Sequence, residues 1–198
     1  MHALSKISLS ITLLLSLFVI AGCTEENEPY LSDNLLQNPK FETNERGRRA
    51  PWLSTQHAGK TAYTLTFSDG EVTIDKYDEQ VYFMIVQQLN IEAYENKTLR
   101  FRADLKLDMP LAENADPKVG GGLLIKLYSA PPAAMLGKKL VLQSTLDHQP
   151  HSGKTDWVTV FTDVVIPKGA LKLEAGFAHM SPTGSMSMRN PTLRVVED

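Results

Sequence analysis

Cysteine is nearly absent from this chain: Cys23 is the only one in 198 residues. A lone cysteine allows neither an intrachain disulfide nor a multi-cysteine metal site. The fold must hold by burial, and a hydrophobic content of 42% is sufficient for that. Basic residues do not exceed acidic ones, and the formal net charge is −3. That balance gives no support to nucleic-acid binding, which usually shows a basic domain. The longest apolar run, residues 7–20, is interrupted by Ser8, Ser10, Thr12 and Ser16. It is too short to span a bilayer, which takes about 20 residues. Catalytic signatures are also missing. No G-x-S-x-G elbow surrounds Ser181, Ser185 or Ser187, and there is no P-loop or dinucleotide fingerprint. No spacing singles out a pair of carboxylates for glycoside hydrolysis. The expectation is a non-catalytic protein without a cofactor.

The first residues read as an address. Lys6 precedes the apolar run and small residues follow it, the layout of a secretory signal. Ile20-Ala21-Gly22-Cys23 resembles the lipobox of bacterial lipoproteins, whose cysteine receives a diacylglyceryl group before cleavage. The resemblance implies a signal peptide over 1–22, lipid on Cys23, and a membrane as partner. Two or more acyl chains give stable anchoring. Thr24, rather than an aspartate, follows the cysteine; by the same resemblance this favours the outer membrane of a Gram-negative cell. An ordinary signal with an unrelated cysteine, or an uncleaved anchor, is the alternative. Residues 24–33, TEENEPYLSD, are acidic and bury little, so 23–33 reads as a flexible tether.

From Asn34 to the end the pattern is that of strands. Leu99, Phe101, Ala103, Leu105 and Leu107 alternate strictly with Arg100, Arg102, Asp104, Lys106 and Asp108. Tyr63, Leu65 and Phe67 share a face, and Ser68-Asp69-Gly70 turns the chain into Val72 and Ile74, a hairpin signal. Further strands are expected over 81–91, 123–129, 140–146, 157–165, 171–179 and 186–196, with 111–122 as a surface loop. About ten strands with short turns and no convincing helix predict an all-β sandwich for 34–198.

Both ends of that domain resemble jelly-roll carbohydrate-binding modules, those of families four and nine among them. The opening is Asn34-Leu35-Leu36-Gln37-Asn38-Pro39-Lys40-Phe41-Glu42, then Pro51-Trp52; the close is Gly184-Ser185-Met186-Ser187-Met188-Arg189-Asn190-Pro191-Thr192-Leu193. Gln87-Gln88-Leu89 and Lys97-Thr98-Leu99-Arg100-Phe101 are similar to a middle segment of the same modules. The resemblance implies a galactose-binding-like jelly roll. It also implies a structural calcium near the first strand. Glu42 suits that site, but Arg189 stands where an aspartate is usual, and a guanidinium cannot ligate a cation.

Candidate glycan contacts are Arg100, Arg102, Lys126, Tyr128 and Trp157: charges to bond hydroxyls or carboxylates, aromatics to stack on sugar rings. The first four meet on one face only if their strands share a sheet. An ordinary solvated sheet face with cross-strand ion pairs is the plainer reading. Trp157 and Trp52 are aromatic platforms or core, with Trp52 able to close one end of the barrel. Arg46, Arg48 and Arg49 form a loop cluster attractive to phosphate or carboxylate groups. Asp147, His148 and His151 are too few for a zinc site by themselves. Three functions remain open: a glycan reader, an adaptor for an envelope protein, and a glycan hydrolase.

Overall fold

The computed structural model describes residues 30–57, 59–78, 80–111, 119–129, 140–144 and 151–196. Residues 1–29, with Cys23, lie outside these, as do Asp147 and His148. Alternating sequences become strands throughout: β1 (Leu53–Gln56), β2 (Tyr63–Ser68), β3 (Glu71–Lys76), β4 (Phe83–Asn90), β5 (Thr98–Asp108), β6 (Gly121–Ser129), β7 (Leu140–Ser144), β8 (Lys154–Val165), β9 (Ala170–His179) and β10 (Gly184–Val196). A single 3-10 turn at Glu92–Tyr94 is the one helical element among the described residues. No helix there is long and apolar enough to cross a membrane.

The strands form two antiparallel five-stranded sheets, β1-β4-β9-β6-β7 and β2-β3-β10-β5-β8. On β5 the apolar set Leu99, Phe101, Ala103, Leu105 and Leu107 is buried, and the polar set faces out. Ile125, Leu127, Leu173, Ala175 and Phe177 face them from the other sheet within one core. Burying each large side chain stabilises the fold by roughly 1.5–3 kcal/mol. The β2–β3 hairpin turns where expected. Ser68 pairs with Glu71 across Asp69 and Gly70, whose φ values of 48° and 80° are those a two-residue hairpin turn demands.

The segment before β1 is tied down by side-chain amides. Asn34 Oδ1 accepts from the backbone N–H groups of Leu36 (3.2 Å) and Leu193 (2.9 Å), and its Nδ2 donates to the Pro191 carbonyl at 3.1 Å. One asparagine thus joins the start of the domain to β10. Asn38 closes the next turn, accepting from Glu42 N at 2.7 Å and donating to the Glu42 carbonyl at 2.8 Å. Docking begins before Asn34: Tyr30 bridges to Val196, and Leu31 N donates to the Val195 carbonyl at 3.0 Å. β6 starts at Gly121, inside the stretch expected to be loop.

Beside Gly121 lies a buried polar group. His179 and Ser181 are fully buried and Lys76 nearly so. The Lys76 ammonium donates to the carbonyls of Gln80 and Ser181. Nε2 of His179 donates to the Gly184 carbonyl at 2.9 Å, leaving Nδ1 buried with no partner among the described residues. Burial first, with nearby Lys76 adding to it, lowers the His179 pKa from 6.5 to about 4. The folded state therefore binds this proton more weakly than the unfolded chain does. The resulting stability is fully present above pH 6.5 and is lost as pH falls toward 4, a loss of roughly 3 kcal/mol. Denaturant unfolding at pH 7.5 and pH 4 should show His179→Gln losing about that much less than wild type. Equal losses would contradict this.

Candidate functional site

The outer face of the β1-β4-β9-β6-β7 sheet is divided into two halves by its register. Toward one end, Met84, Val86, Leu124 and Ala178 form a second buried apolar cluster, with Tyr82 and Met180 packed against it. Toward the other end the rows become polar. Gln88, Glu174 and Lys126 lie side by side on β4, β9 and β6, and Asn90, Lys172 and Tyr128 form the next row.

Hydrogen bonds link these rows. Tyr128 donates its hydroxyl to Glu174 Oε2 at 2.7 Å, and Gln88 Nε2 donates to Glu174 Oε1 at 3.2 Å. Lys172 reaches the Gln88 side-chain oxygen at 3.4 Å, while the Lys126 ammonium lies 3.5 Å from the Met84 sulfur. Burial pushes the Tyr128 hydroxyl pKa well above its ordinary value of 10, and the adjacent Glu174 carboxylate raises it further. Tyr128 is therefore a fixed neutral donor throughout the physiological range. Gln88 and Asn90 are exposed; Lys126, Lys172 and Glu174 are half-buried.

At Gln88 the polar rows open into a cavity of about 330 Å³ beside β4, past the point where β1 ends its pairing. Gln37, Gln87, Asn90 and Tyr94 contribute to its wall. Gln37 and Gln87 are locked together, the Gln37 backbone N–H donating to Gln87 Oε1 at 3.0 Å and Gln87 Nε2 donating back to the Gln37 carbonyl. Amides, two ammonium groups, one carboxylate and two tyrosines are thus gathered on one surface. Such a set can bond several hydroxyls of an uncharged polar ligand from both donor and acceptor sides.

The five residues singled out in the sequence do not meet. Lys126 and Tyr128 are on β6, whereas Arg100, Arg102 and Trp157 are on β5 and β8 in the opposite sheet. The condition that the first four share a sheet is not satisfied, because the chain changes sheets between β5 and β6. On the second face, Arg100 grips Asp163 through two bonds of 2.7 and 2.8 Å and lies 4.4 Å over the Phe161 ring. Trp157 is half-buried on this face, with the Arg189 guanidinium 4.1 Å above its ring. Trp52 is core: its ring packs against Phe41 and Phe177, and Nε1 donates to the Asn38 carbonyl at 2.8 Å. Gln88, Asn90, Lys172 and Glu174 escaped the sequence reading. Their outward parity was available, but which strands adjoin them was not.

Glu42 and Arg189 do line one cavity, of about 470 Å³, as the resemblance to calcium-holding modules implies. The wall sets Lys40, Arg49 and Arg189 against Glu42, Asp69 and Glu71, so the cations offset the carboxylates a calcium ion would need, and Arg189 Nε donates to Asp104 at 3.3 Å. Arg49 is half-buried and lies 3.7 Å over the Phe67 ring, while Arg46 and Arg48 are exposed. His151 is half-buried and bridges Gly121. Among the described residues no group of three or more His, Cys, Asp or Glu side chains is placed to hold a metal.

No family model matches the chain, and no curated protein sequence matches it. Solved structures do. The enzymatically active domain of tailspike protein 4 from bacteriophage CBA120 superposes with a TM-score of 0.59 at 13% identity, over 82% of this chain and 21% of that one. This chain therefore spans about a fifth of the tailspike domain's length. A family 4 carbohydrate-binding module matches with a TM-score of 0.54 at 14% identity, over 80% of this chain and 98% of its own. The xylan-binding domain CBM22-1 of Paenibacillus barcinonensis gives 0.46 at 13%, over 86% and 99%. At such identities the likeness is one of fold. The chain has the all-β jelly-roll sandwich of its carbohydrate-binding-module neighbours.

Proposed function

We propose that this protein binds glycan on the polar half of the β1-β4-β9-β6-β7 face, held at a membrane by lipid on Cys23. The observation that carries the reading is Glu174, whose two carboxylate oxygens are held by Gln88 from one neighbouring strand and Tyr128 from the other. Groups already fixed by their neighbours lose little freedom when a ligand arrives. Sugar hydroxyls donate to Glu174 and the Gln88 amide oxygen and accept from Lys126 and Lys172, while Tyr94 offers a ring in the adjoining cavity. The fold of the neighbouring carbohydrate-binding modules supports the same reading. Binding rather than hydrolysis is proposed because the rows contain one carboxylate, where glycoside cleavage uses two.

A panel of neutral and uronic-acid-bearing oligosaccharides tests the proposal. Glu174→Gln and Tyr128→Phe should each weaken the best ligand about 10- to 100-fold, the effect of losing a charge-assisted hydrogen bond. Arg102→Gln, on the other sheet, should leave affinity unchanged. Binding that is indifferent to the first two substitutions and sensitive to the third would overturn the assignment.

The anchor has its own test. Lipid on Cys23 and residence in the outer membrane of a Gram-negative cell are read from the Ile20-Ala21-Gly22-Cys23 motif and Thr24. Cys23→Ser should abolish incorporation of a palmitate analogue and release the protein from membranes. Continued labelling would refute the anchor while leaving the glycan reading intact.

A further inference from the structure

Four strands border the two sheets: β1, β7, β2 and β8. The first three are four to six residues long, whereas β8 runs for 12. A sheet edge presents a row of backbone donors and acceptors, and proteins usually blunt long edges with lysine, proline or inward-pointing charge. β8 carries a bulge near its start, opposite the Leu105–Leu107 stretch of β5. Beyond it, Val158-Thr159-Val160-Phe161-Thr162-Asp163-Val164-Val165 contains no proline and no lysine. Its one charge, Asp163, is answered from within by both bonds to Arg100. Val158, Phe161 and Val165 are 40%, 51% and 60% exposed. Among the described residues only β5 pairs with this strand.

We propose that β8 is the docking edge for a second copy of this chain, the two strands pairing antiparallel about a two-fold axis at Phe161. The strand's own sequence suits that axis. Phe161 then faces Phe161 of the other copy, Val158 faces Val164, Trp157 faces Val165, and Asp163 faces the neutral Thr159. Moving the axis to Thr162 sets Phe161 against Asp163, and moving it to Val160 sets Asp163 against Trp157. The Phe161 axis sets Phe161, Val158 and Trp157 against apolar partners and Val160 against Thr162, and it keeps Asp163 away from every apolar side chain. No uncompensated like charges meet across it, because Asp163 keeps Arg100 and Thr159 keeps its 2.8 Å bond to Asp104. Two five-stranded sheets become one continuous sheet, and the glycan-binding faces on the opposite sheets remain open.

Cysteine cross-linking of the purified full-length chain in mild detergent tests the pairing and its register. Antiparallel partners have Cα atoms about 4.5–5.5 Å apart, within disulfide reach. Phe161→Cys should oxidise to a covalent dimer in most of the protein, and a mixture of Thr159→Cys with Asp163→Cys should cross-link comparably. Asp163→Cys alone should form no covalent dimer, its two copies being offset by about 14 Å along the strands. Wild type, with Cys23 alone, sets the background. Sedimentation equilibrium supplies the second readout: wild type should be a dimer at micromolar concentration, and Phe161→Lys a folded monomer that melts somewhat lower, having lost the dimer's stabilisation. A monomeric wild type would overturn the proposal, as would Phe161→Cys cross-linking no better than Asp163→Cys.

Discussion

Trp52→Ala should lower the unfolding free energy by about 3–5 kcal/mol, measured by chemical denaturation at neutral pH. The ring is only 7% exposed and is the hinge of an aromatic cluster, 4.9 Å from Phe41 and 6.1 Å from Phe177. Alanine leaves a cavity between the pre-β1 segment and β9. It also removes the donor to the Asn38 carbonyl, an acceptor in the turn that Asn38 itself closes. Against a typical domain stability of about 5–15 kcal/mol, that loss takes much of the margin. A change below about 1 kcal/mol would place Trp52 among surface positions and contradict its role as core.

Gly176→Ala should be comparably damaging for the opposite reason, overpacking. Gly176 sits on β9, the middle strand of its sheet, between Val86 and Leu124. A Cβ there would lie 2.0 Å from the Ile85 carbonyl oxygen and 2.6 Å from the Val86 Cα. Those obstacles are backbone, so no side-chain rotation relieves them and β4 and β9 must separate. The expected cost is about 3 kcal/mol or more, at or above the usual range for overpacking. Gly59→Ala is the control, because nothing lies within 4 Å of its added Cβ. If the two variants unfold at the same denaturant concentration, the close β4–β9 approach is wrong.

Local chemistry made most of the fold legible. The strict alternation on β5, the Asp69-Gly70 turn and the apolar sets of β9 and β10 each depend on neighbours a few residues away. Asn34 and Trp52 also carried information, since the segments that resemble carbohydrate-binding modules prove to be the ones tying the two ends of the domain together. Sheet membership was not legible. β5 and β6 follow one another in sequence, yet their outward side chains point to opposite sides of the sandwich, which separates Arg100 and Arg102 from Lys126 and Tyr128. Glu174 shows why the site was missed. Its partners Gln88 and Tyr128 lie 86 and 46 residues away, and strand periodicity says nothing about which distant strands become neighbours. Trp52 illustrates a further limit: it follows an arginine-rich loop, but burial is decided by Phe41 and Phe177, which no local pattern connects to it.

The glycan-binding face is best tested by nuclear magnetic resonance titration of the isotope-labelled chain with the strongest ligand from the oligosaccharide panel. Saturable shifts should concentrate at Gln88, Asn90, Lys126, Tyr128, Lys172 and Glu174, with Gln37 and Tyr94 following at the cavity, and Glu174→Gln should suppress them. Shifts centred instead on Arg100, Arg102 and Trp157, or no saturable shifts with any oligosaccharide of the panel, would contradict the account.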